Sequence, residues 1–373
     1  MNEALRALFP ITQHYVYLNH AAVGPLSVRS LQAIQRFLQE ATTEAGLKWM
    51  AWMQEAERVR QQAARLINAK PSEIAFMQNT SAALSAIANG IDWRVGDNVV
   101  SCGCEFPSNI YPWMRLQQYG VQLRLAPERD GRIETDELLS LVDERTRVVT
   151  VSFVQFINGF RMDLSTIGHF CRQRGILFVV DAIQGLGALR LDVERDAIDA
   201  LAADAHKFLL GPEGITIMYI SERIMPLIQP TIVGWTSVKN SFDKLLDYEL
   251  NYRDGALRYE PGSLNSMGIH ALGASLDLFL EVGIDRIEQH LLNLTDYLVA
   301  GLREKGYRVI SSRRPGEASA IVCCMHEQVP AVELHRRLLA HRIVVVQRLG
   351  RLRISPHFYN TSEEIDALLE HLP

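Results

Sequence analysis

Short apolar strands alternate with helical segments along the first part of the chain. The clearest strands are residues 147–153, rich in β-branched side chains, and the apolar run 176–180. Between them, residues 164–174 have a helical composition and are followed by Gly175, the residue type that most often ends a helix. Strands separated by helices predict an α/β fold around a mostly parallel sheet. Functional side chains of such sheets gather at the carboxyl ends of the strands.

The remaining segments predict a second, smaller unit. Further strands are predicted at residues 73–77, 98–101, 121–125 and 215–220, and further helices at 30–68, 82–89, 110–119 and 135–142. Residues 255–265 form a turn-rich break, and a helix is predicted from Met267 onward. Shorter strands are then predicted at 307–311, 320–324, 342–346 and 351–354. We therefore expect an N-terminal arm at residues 1–18, a large domain at 19–265 and a small α+β domain at 266–373.

Charge and cysteine content exclude several classes of function. The formal net charge is −5, so neither a nucleic-acid nor a membrane-surface partner is expected. No apolar run approaches the roughly 20 residues of a membrane span, and residues 1–10 lack the pattern of a signal peptide. We expect a cytoplasmic protein.

The five cysteines are odd in number and lack the spacing of a zinc site. We therefore expect no disulfide framework and no bound metal.

Asp181 and Lys207 have the sequence contexts that a pyridoxal phosphate (PLP) enzyme requires. Asp181 follows the strand 176–180 directly, and a carboxylate there would keep the pyridine nitrogen of the cofactor protonated. Lys207 lies among apolar residues beside His206, a setting that would favour a reactive amine with a lowered pKa. Taken singly, Asp181 also fits a capping or turn residue, and Lys207 also fits a lysine whose stem is buried and whose ammonium reaches solvent.

Two further features predict anion binding. Asn79, Thr80 and Ser81 lie between a strand and a helix, where free backbone N–H groups and hydroxyls bind phosphate. A plain N-cap explains the same residues. Arg353 lies within an apolar strand and is suited to clamp a substrate carboxylate, although a solvated arginine on an edge strand is the alternative. His206 is a further candidate phosphate donor, or a structural histidine.

Taken together, these residues resemble the class V aminotransferases of PLP fold type I, a family that includes cysteine desulfurases and isopenicillin N epimerase-like proteins. The resemblance covers nearly the whole chain. Its motifs are YLNHAAVGP at 17–25, NTS at 79–81, EFPSN at 105–109, DAIQ at 181–184, DAHKFLLGPEG at 204–214 and RIS at 353–355, followed by YNT at 359–361. The resemblance implies a large domain with a mostly parallel seven-stranded sheet and a smaller α+β C-terminal domain.

The family also implies roles for individual positions. Lys207 would form the Schiff base with PLP and move protons, and Asp181 would contact the pyridine nitrogen. Asn79, Thr80, Ser81 and His206 would hold the phosphate, Phe106 would stack on the ring, and Gln155 and Gln184 would reach its oxygen. Arg353, with His20 and Ala22 of the first motif, would bind the substrate. Ser263 would reach the phosphate of a partner subunit, which implies a homodimer.

Three departures from the family pattern stand out. Phe106 replaces the histidine of the desulfurases and cannot act as an acid or base. Asp204 stands where they have a hydroxyl that donates to phosphate, so we expect its carboxylate to point elsewhere. The desulfurase loop before the C-terminal arginine carries a nucleophilic cysteine, and residues 344–352 here contain none. A persulfide-forming desulfurase is therefore disfavoured.

We predict an aminotransferase that acts on an amino acid or small amine, with an α-keto acid as the possible second substrate. A PLP-dependent lyase that breaks a C–S bond, an epimerase or a decarboxylase is the alternative, because each uses the same lysine. A non-catalytic protein that retains the fold is a third hypothesis. Lys207, Asp181 and Arg353 together argue against it, since a binding module has no need for all three.

Overall fold

A computed structural model describes residues 3–239, 246 and 248–373 of the chain. The first two residues of the predicted N-terminal arm, and residues 240–245 and 247 of the predicted large domain, lie outside that description. The helices are α1 (Glu3–Arg6), α2 (Val28–Thr43), α3 (Trp49–Ile67), α4 (Thr80–Gly90), α5 (Tyr111–Arg115), α6 (Thr135–Ser140), α7 (Leu164–Arg174), α8 (Ser266–Val282), α9 (Ile284–Glu304), α10 (Ala331–Ala340) and α11 (Ser362–Glu370).

The strands form one large sheet and two small ones. They are β1 (Val16–Tyr17), β2 (Ile74–Met77), β3 (Asn98–Cys102), β4 (Gln122–Ala126), β5 (Thr146–Ser152), β6 (Leu177–Asp181), β7 (Ala200–Asp204), β8 (Thr216–Ile220), β9 (Arg308–Val309), β10 (Val322–Met325), β11 (Ile343–Val344), β12 (Val346–Arg348) and β13 (Arg351–Ile354). The large sheet has seven strands in the order β2-β8-β7-β6-β5-β3-β4. Strands β4, β3, β5, β6 and β7 run parallel, and β8 is antiparallel to both of its neighbours.

The centre of the large sheet is covered on both faces, as the continuous apolar runs predict. In β6, Phe178 and Val180 pack into the apolar core on one face, and Leu177 and Val179 pack into the core on the other. The predicted α/β fold with a mostly parallel seven-stranded sheet is therefore confirmed. Because β5, β6 and β7 run in the same direction, their last residues lie along one edge; Ser152 is the register partner of Asp181.

Strand β7 is absent from the elements predicted from the sequence. Three of its five residues are alanine, which has weak β-propensity, and burial in the sheet overrides that weakness. The predicted helix at residues 30–68 is also two helices, α2 and α3, separated by a 3-10 turn at Ala45–Lys48. Similarly, the predicted helix at 110–119 is the short α5 followed by a 3-10 turn that ends at the left-handed Gly120.

The C-terminal part is built on a four-stranded antiparallel sheet in the order β12-β13-β10-β9. The N-terminal arm belongs to this part in space, because β1 pairs in parallel with β11 and Leu18 is buried in the same apolar core. The predicted domain boundaries stay predictions.

Among the described residues, no single helix has the length and apolar character of a membrane span. Helices α8 and α9 meet these criteria only when taken together, as a pair bent by 80°.

Candidate active site

A cavity of about 330 Å³ lies where β6 and β7 end. It brings together most of the residues that the sequence singled out, although they come from distant parts of the chain. Those residues are Ala22, Asn79, Thr80, Ser81, Phe106, Asp181, Gln184, His206, Lys207 and Arg353. Carboxyl ends of parallel strands meet at one edge of a sheet, which explains the convergence of Asp181 with the residues that follow β7.

Asp181 is the last residue of β6 and is almost completely buried. The backbone N–H of Ile183 donates to its Oδ1 at 3.1 Å. Burial raises the pKa of Asp181 to about 7, and the nearby Glu105 carboxyl adds to that effect. A cation beside the carboxylate would reverse the shift, because an opposite charge stabilises the ionised form. The site is therefore suited to a protonated ring nitrogen.

Lys207 lies three residues beyond the end of β7 and is 8% exposed. Burial lowers its pKa to about 8; the charges of Arg353 and Arg348 lower it further, and Asp181 opposes them. A pKa near 8 leaves about one tenth of the amine unprotonated at pH 7, far more than the ordinary pKa would, and the unprotonated amine is the nucleophile. The backbone is held by Gly24, whose N–H donates to the carbonyl of His206 at 2.6 Å.

The N-terminus of α4 forms one wall of the cavity. Asn79 caps the helix through a hydrogen bond from the Ala82 N–H at 2.9 Å. Thr80 Oγ1 accepts from the backbone N–H of Asp204 at 3.2 Å, which leaves the hydroxyl proton available to a ligand. The hydroxyl of Ser81 donates to Ser108 at 2.8 Å. Helix N–H groups with hydroxyls beside them bind phosphate, so this wall fits the predicted role.

His206 and Asp204 form a close pair beside this wall. Nδ1 of His206 lies 2.8 Å from Oδ1 of Asp204. The aspartate carboxylate, although it lines the cavity, therefore lies against a neighbouring ring. Neither of the two atoms has a hydrogen-bond partner among the described residues, so the pair is a close contact and not a hydrogen bond.

Arg353 and Gln184 carry polar atoms without partners among the described residues. Arg353, on β13, is 1% exposed; its Nη1 donates to the carbonyl of Phe156 at 3.0 Å, while Nε and Nη2 have no hydrogen-bond partner. Burial lowers the pKa of Arg353 to about 10. Gln184 donates to the carbonyl of Ala21 at 3.0 Å, and its Oε1 has no partner. Buried polar atoms are normally paired, so these atoms indicate a site for a polar ligand.

Three of the predicted site residues lie outside the cavity. Gln155 is fully buried and donates to Glu105 Oε1 at 2.6 Å. The ring of His20 is also fully buried, and it bonds to the carbonyl of Ser355 at 2.8 Å and to the Tyr359 hydroxyl at 2.7 Å. Ser263 lines a separate cavity of about 320 Å³. Within one chain, therefore, none of these three side chains reaches the space in front of Lys207.

The cavity also contains residues that the sequence did not assign to it. Phe156 lies in the loop after β5, and its ring meets that of Phe106 edge-on with centres 5.1 Å apart. Arg348, which is exposed, lines the cavity from the end of β12. The carboxyl end of the parallel strand β5 is the signal that could have identified Phe156. Arg348 ends an antiparallel strand and has no such signal.

None of the five cysteines, all of which are among the described residues, lines this cavity. Burial raises the pKa of each thiol, to about 12 for Cys104 and to about 11 for Cys323. A thiol with such a pKa is scarcely ionised at neutral pH, whereas the thiolate is the nucleophile. The cavity therefore offers no thiol chemistry of its own.

Residues 16–368 match the family model Aminotransferase class-V. The chain belongs to the class V aminotransferase family. It is 31% identical to a probable cysteine desulfurase of Methanothermobacter thermautotrophicus over 99% of this chain and 97% of the relative. It is 26% identical to the uncharacterized aminotransferase YcbU of Bacillus subtilis over 99% and 97%. A solved C-DES variant with glycine covalently linked to its PLP cofactor matches with a TM-score of 0.90 at 24% identity over 98% of both chains.

Membership of the class V aminotransferases brings PLP as the cofactor, and the cavity fits it. When bound, PLP withdraws electrons from the carbon that carries the amino group of a substrate. Lys207 would hold it covalently, and Asp181 would face the ring nitrogen. Thr80 and Ser81 would hold the phosphate at the N-terminus of α4. Gln184 Oε1, buried without a partner, would complete the polar contacts.

Proposed function

We propose that this class V enzyme is a PLP-dependent aminotransferase that acts on a small amino acid and passes the amino group to an α-keto acid. The observation that carries the proposal is the lining of one cavity by Lys207, Asp181 and Arg353. These are the three functional groups that the reaction needs: an amine for the cofactor, a carboxylate for the ring nitrogen and a guanidinium for the substrate carboxylate.

Arg353 binds and orients the substrate in this proposal. Its free Nε and Nη2 form the edge of a guanidinium that suits a carboxylate in a bidentate arrangement. Because Nη1 is anchored to the carbonyl of Phe156, the guanidinium plane is fixed before the substrate arrives. Binding energy at the carboxylate therefore positions the Cα of the substrate relative to Lys207.

Lys207 moves the proton in this proposal. With a pKa of about 8, its amine would accept the Cα proton of the substrate and later give that proton up at neutral pH without a large energetic penalty. Phe106 and Phe156 supply an apolar boundary that excludes water from this transfer. Transamination needs no further acid or base, which matches a cavity whose other acidic groups, Asp181 and Asp204, face partners of their own.

A C–S lyase is the second candidate, because the 31% identical relative is named a probable cysteine desulfurase. The absence of all five thiols from the cavity lining argues against a reaction that passes through a persulfide on the protein. A β-elimination that releases the sulfur group directly, with ammonia and a keto acid as the other products, needs no such thiol. It uses the same Lys207 for removal of the Cα proton.

The proposal is tested by titrating the purified holoenzyme with amino acids while its visible absorbance is recorded and the products are identified. An aminotransferase loses the band of the lysine-bound cofactor on addition of an amino acid and regains it with an α-keto acid. Ammonia released with the band retained supports the lyase instead. Lys207→Ala should abolish both responses, and Lys70→Ala, an exposed lysine, should retain them. An active Lys207→Ala variant would refute either reaction.

We also propose that the enzyme works as a homodimer. Ser263 lies outside the cavity of its own Lys207, so a contact from it to the phosphate requires a second copy of the chain. Ser263→Ala should then weaken cofactor retention without changing the fold. Light scattering on the holoenzyme tests the proposal directly, and a monomer that retains full activity would contradict it.

A further inference from the structure

Arg348 and Arg353 project from neighbouring strands into one cavity. In the antiparallel pair of β12 and β13, Val346 is opposite Arg353 and Arg348 is opposite Arg351. Side chains of a strand alternate between its two faces, so Arg348, Arg351 and Arg353 share one face of the sheet. Diagonal neighbours on such a face lie roughly 7–8 Å apart, within reach of long side chains.

These arginines have no acidic partner among the described residues. None of them takes part in an ion pair, whereas about half of the other arginines described in the chain do. Arg353 Nε and Nη2 and Arg351 Nη1 are buried without a hydrogen-bond partner. The carboxylates of the cavity, Asp181 and Asp204, are directed at Ile183 and His206.

Like charges side by side destabilise a sheet, and a buried unpaired charge is costly. The proximity of the arginines is also visible in the pKa of Arg353, which the Arg348 charge lowers in addition to the larger effect of burial. One carboxylate on Arg353 offsets only part of this repulsion. The exposed Arg348, which also lines the cavity, is then available to bind a second anion.

We infer that the preferred substrate is an acidic amino acid, with its α-carboxylate on Arg353 and a second acidic group on Arg348. This inference rests on the proposed function for its reaction, but the pair of guanidinium groups binds a dianion whether or not turnover follows. A neutral amide in place of the second acid occupies the same volume and lacks the charge. Acid and amide therefore form a matched pair of probes.

Binding is measured first, with the holoenzyme and two compounds that cannot react because they lack an amino group. Succinate should bind about tenfold more tightly than succinamate, the low end expected for a charge-assisted hydrogen bond at a partly exposed site. Titration calorimetry or the shift of the visible band gives both dissociation constants. Equal affinity of the wild-type enzyme for the two compounds would overturn the inference without recourse to any variant.

Variants of the two arginines show which of them causes the preference for succinate. Arg348→Gln should remove the preference for succinate and leave succinamate binding unchanged, whereas Arg353→Gln should weaken both. Arg348→Lys should restore part of the preference, and Arg336→Gln, an exposed arginine on α10, should resemble the wild type. A preference that survives in Arg348→Gln assigns the second anion to another residue and overturns the inference.

Turnover separates this inference from the proposed function. The wild-type kcat/KM should be about tenfold higher for aspartate than for asparagine, and Arg348→Gln should equalise them. If the enzyme prefers succinate but reacts with no amino acid, the aminotransferase proposal is refuted, whereas the assignment of two anions to Arg348 and Arg353 is supported. Transamination with equal kcat/KM for acid and amide, and equal affinity for succinate and succinamate, would refute the site and leave the aminotransferase standing.

Discussion

The Nζ of Lys207 lies 5.3 Å from the centre of the Phe106 ring. An ammonium over an aromatic face is attracted by the ring quadrupole, and the same flat face is available to stack on a planar cofactor. We expect Phe106→Leu to raise the dissociation constant for PLP roughly two- to tenfold, because leucine retains the apolar volume and lacks the ring. Equilibrium dialysis measures the constant, and Phe37→Leu on α2 is the remote control. An unchanged constant would exclude stacking by Phe106.

The pKa of Lys207 should appear in the loading of the apo-protein with PLP. At a pKa of about 8, the unprotonated fraction is about one tenth at pH 7 and about nine tenths at pH 9, so the loading rate should rise and then level off. Stopped-flow recording of the visible band gives the rate at each pH. A lysine with the ordinary pKa of 10.5 would give a rate that still rises about eightfold between pH 9 and pH 10, and such a profile would contradict the lowered pKa.

Glu105 should be essential for stability. Its carboxylate accepts from the Ser152 backbone N–H at 2.7 Å, from Gln155 at 2.6 Å and from Asn109 at 3.2 Å, as well as from the Ser152 hydroxyl. Glu105→Gln places an amide donor against these donors, so we expect the free energy of unfolding to fall by about 3 kcal/mol. Urea denaturation measures the loss, and the exposed Glu144→Gln should cost nothing measurable. Equal stability of the two variants would be inconsistent with this network.

A side chain at Gly24 should destabilise the protein. A Cβ at this position would clash with the carbonyl oxygen of Lys207, which is backbone and cannot move aside cheaply. We expect Gly24→Ala to lower the free energy of unfolding by about 2 kcal/mol and to weaken PLP binding, because Lys207 would be displaced. Gly46→Ala is the matched control, since nothing lies within 4 Å of a Cβ there. A Gly24→Ala protein with wild-type stability and cofactor affinity would show that the contact is dispensable.

His20 should make the fold sensitive to acid. Burial lowers the pKa of His20 to about 4, while in the unfolded chain it is near 6.5, so between these values the unfolded state binds more protons. Stability from the neutral ring is therefore present above pH 6.5 and is lost as the pH falls towards 4. Protonation of His20 should therefore lower the free energy of unfolding by about 3 kcal/mol between pH 7 and pH 4. His20→Asn should flatten the profile, and an identical profile would assign the acid sensitivity elsewhere.

Much of the fold follows from sequence patterns that depend on neighbouring residues alone. The apolar run of β6 and the Gly175 terminus of α7 place Asp181 at the edge of a parallel sheet without further information. Strand β7 is different, because its alanines carry no local preference for a strand and only burial between β6 and β8 makes them one. The break between α2 and α3 falls on exposed residues, where Ala45 is left-handed and Gly46 is a poor helix former.

The sequence predicts site residues whose role depends on their position at the end of a strand. It does not predict those whose role depends on contacts between side chains. Asp181 and Lys207 are of the first kind. Gln155 is of the second, since only the fold shows that Glu105 occupies its amide. Arg348 is also of the second kind, because its place in the cavity depends on the register of β12 against β13, which no local pattern encodes.

The pairing of β1 with β11 has a consequence for biosynthesis. Val16 and its partner Ile343 are separated by more than 300 residues of sequence, so all of the intervening chain must be made before this pair closes. Contacts between such distant positions are slow to form. Until they form, Leu18 lacks its apolar surroundings, and the segment that leads to Gly24 is held from one end only. The segment that runs from β1 to Gly24, and with it the contact between Gly24 and the backbone beside Lys207, is therefore completed only after β11 has been made.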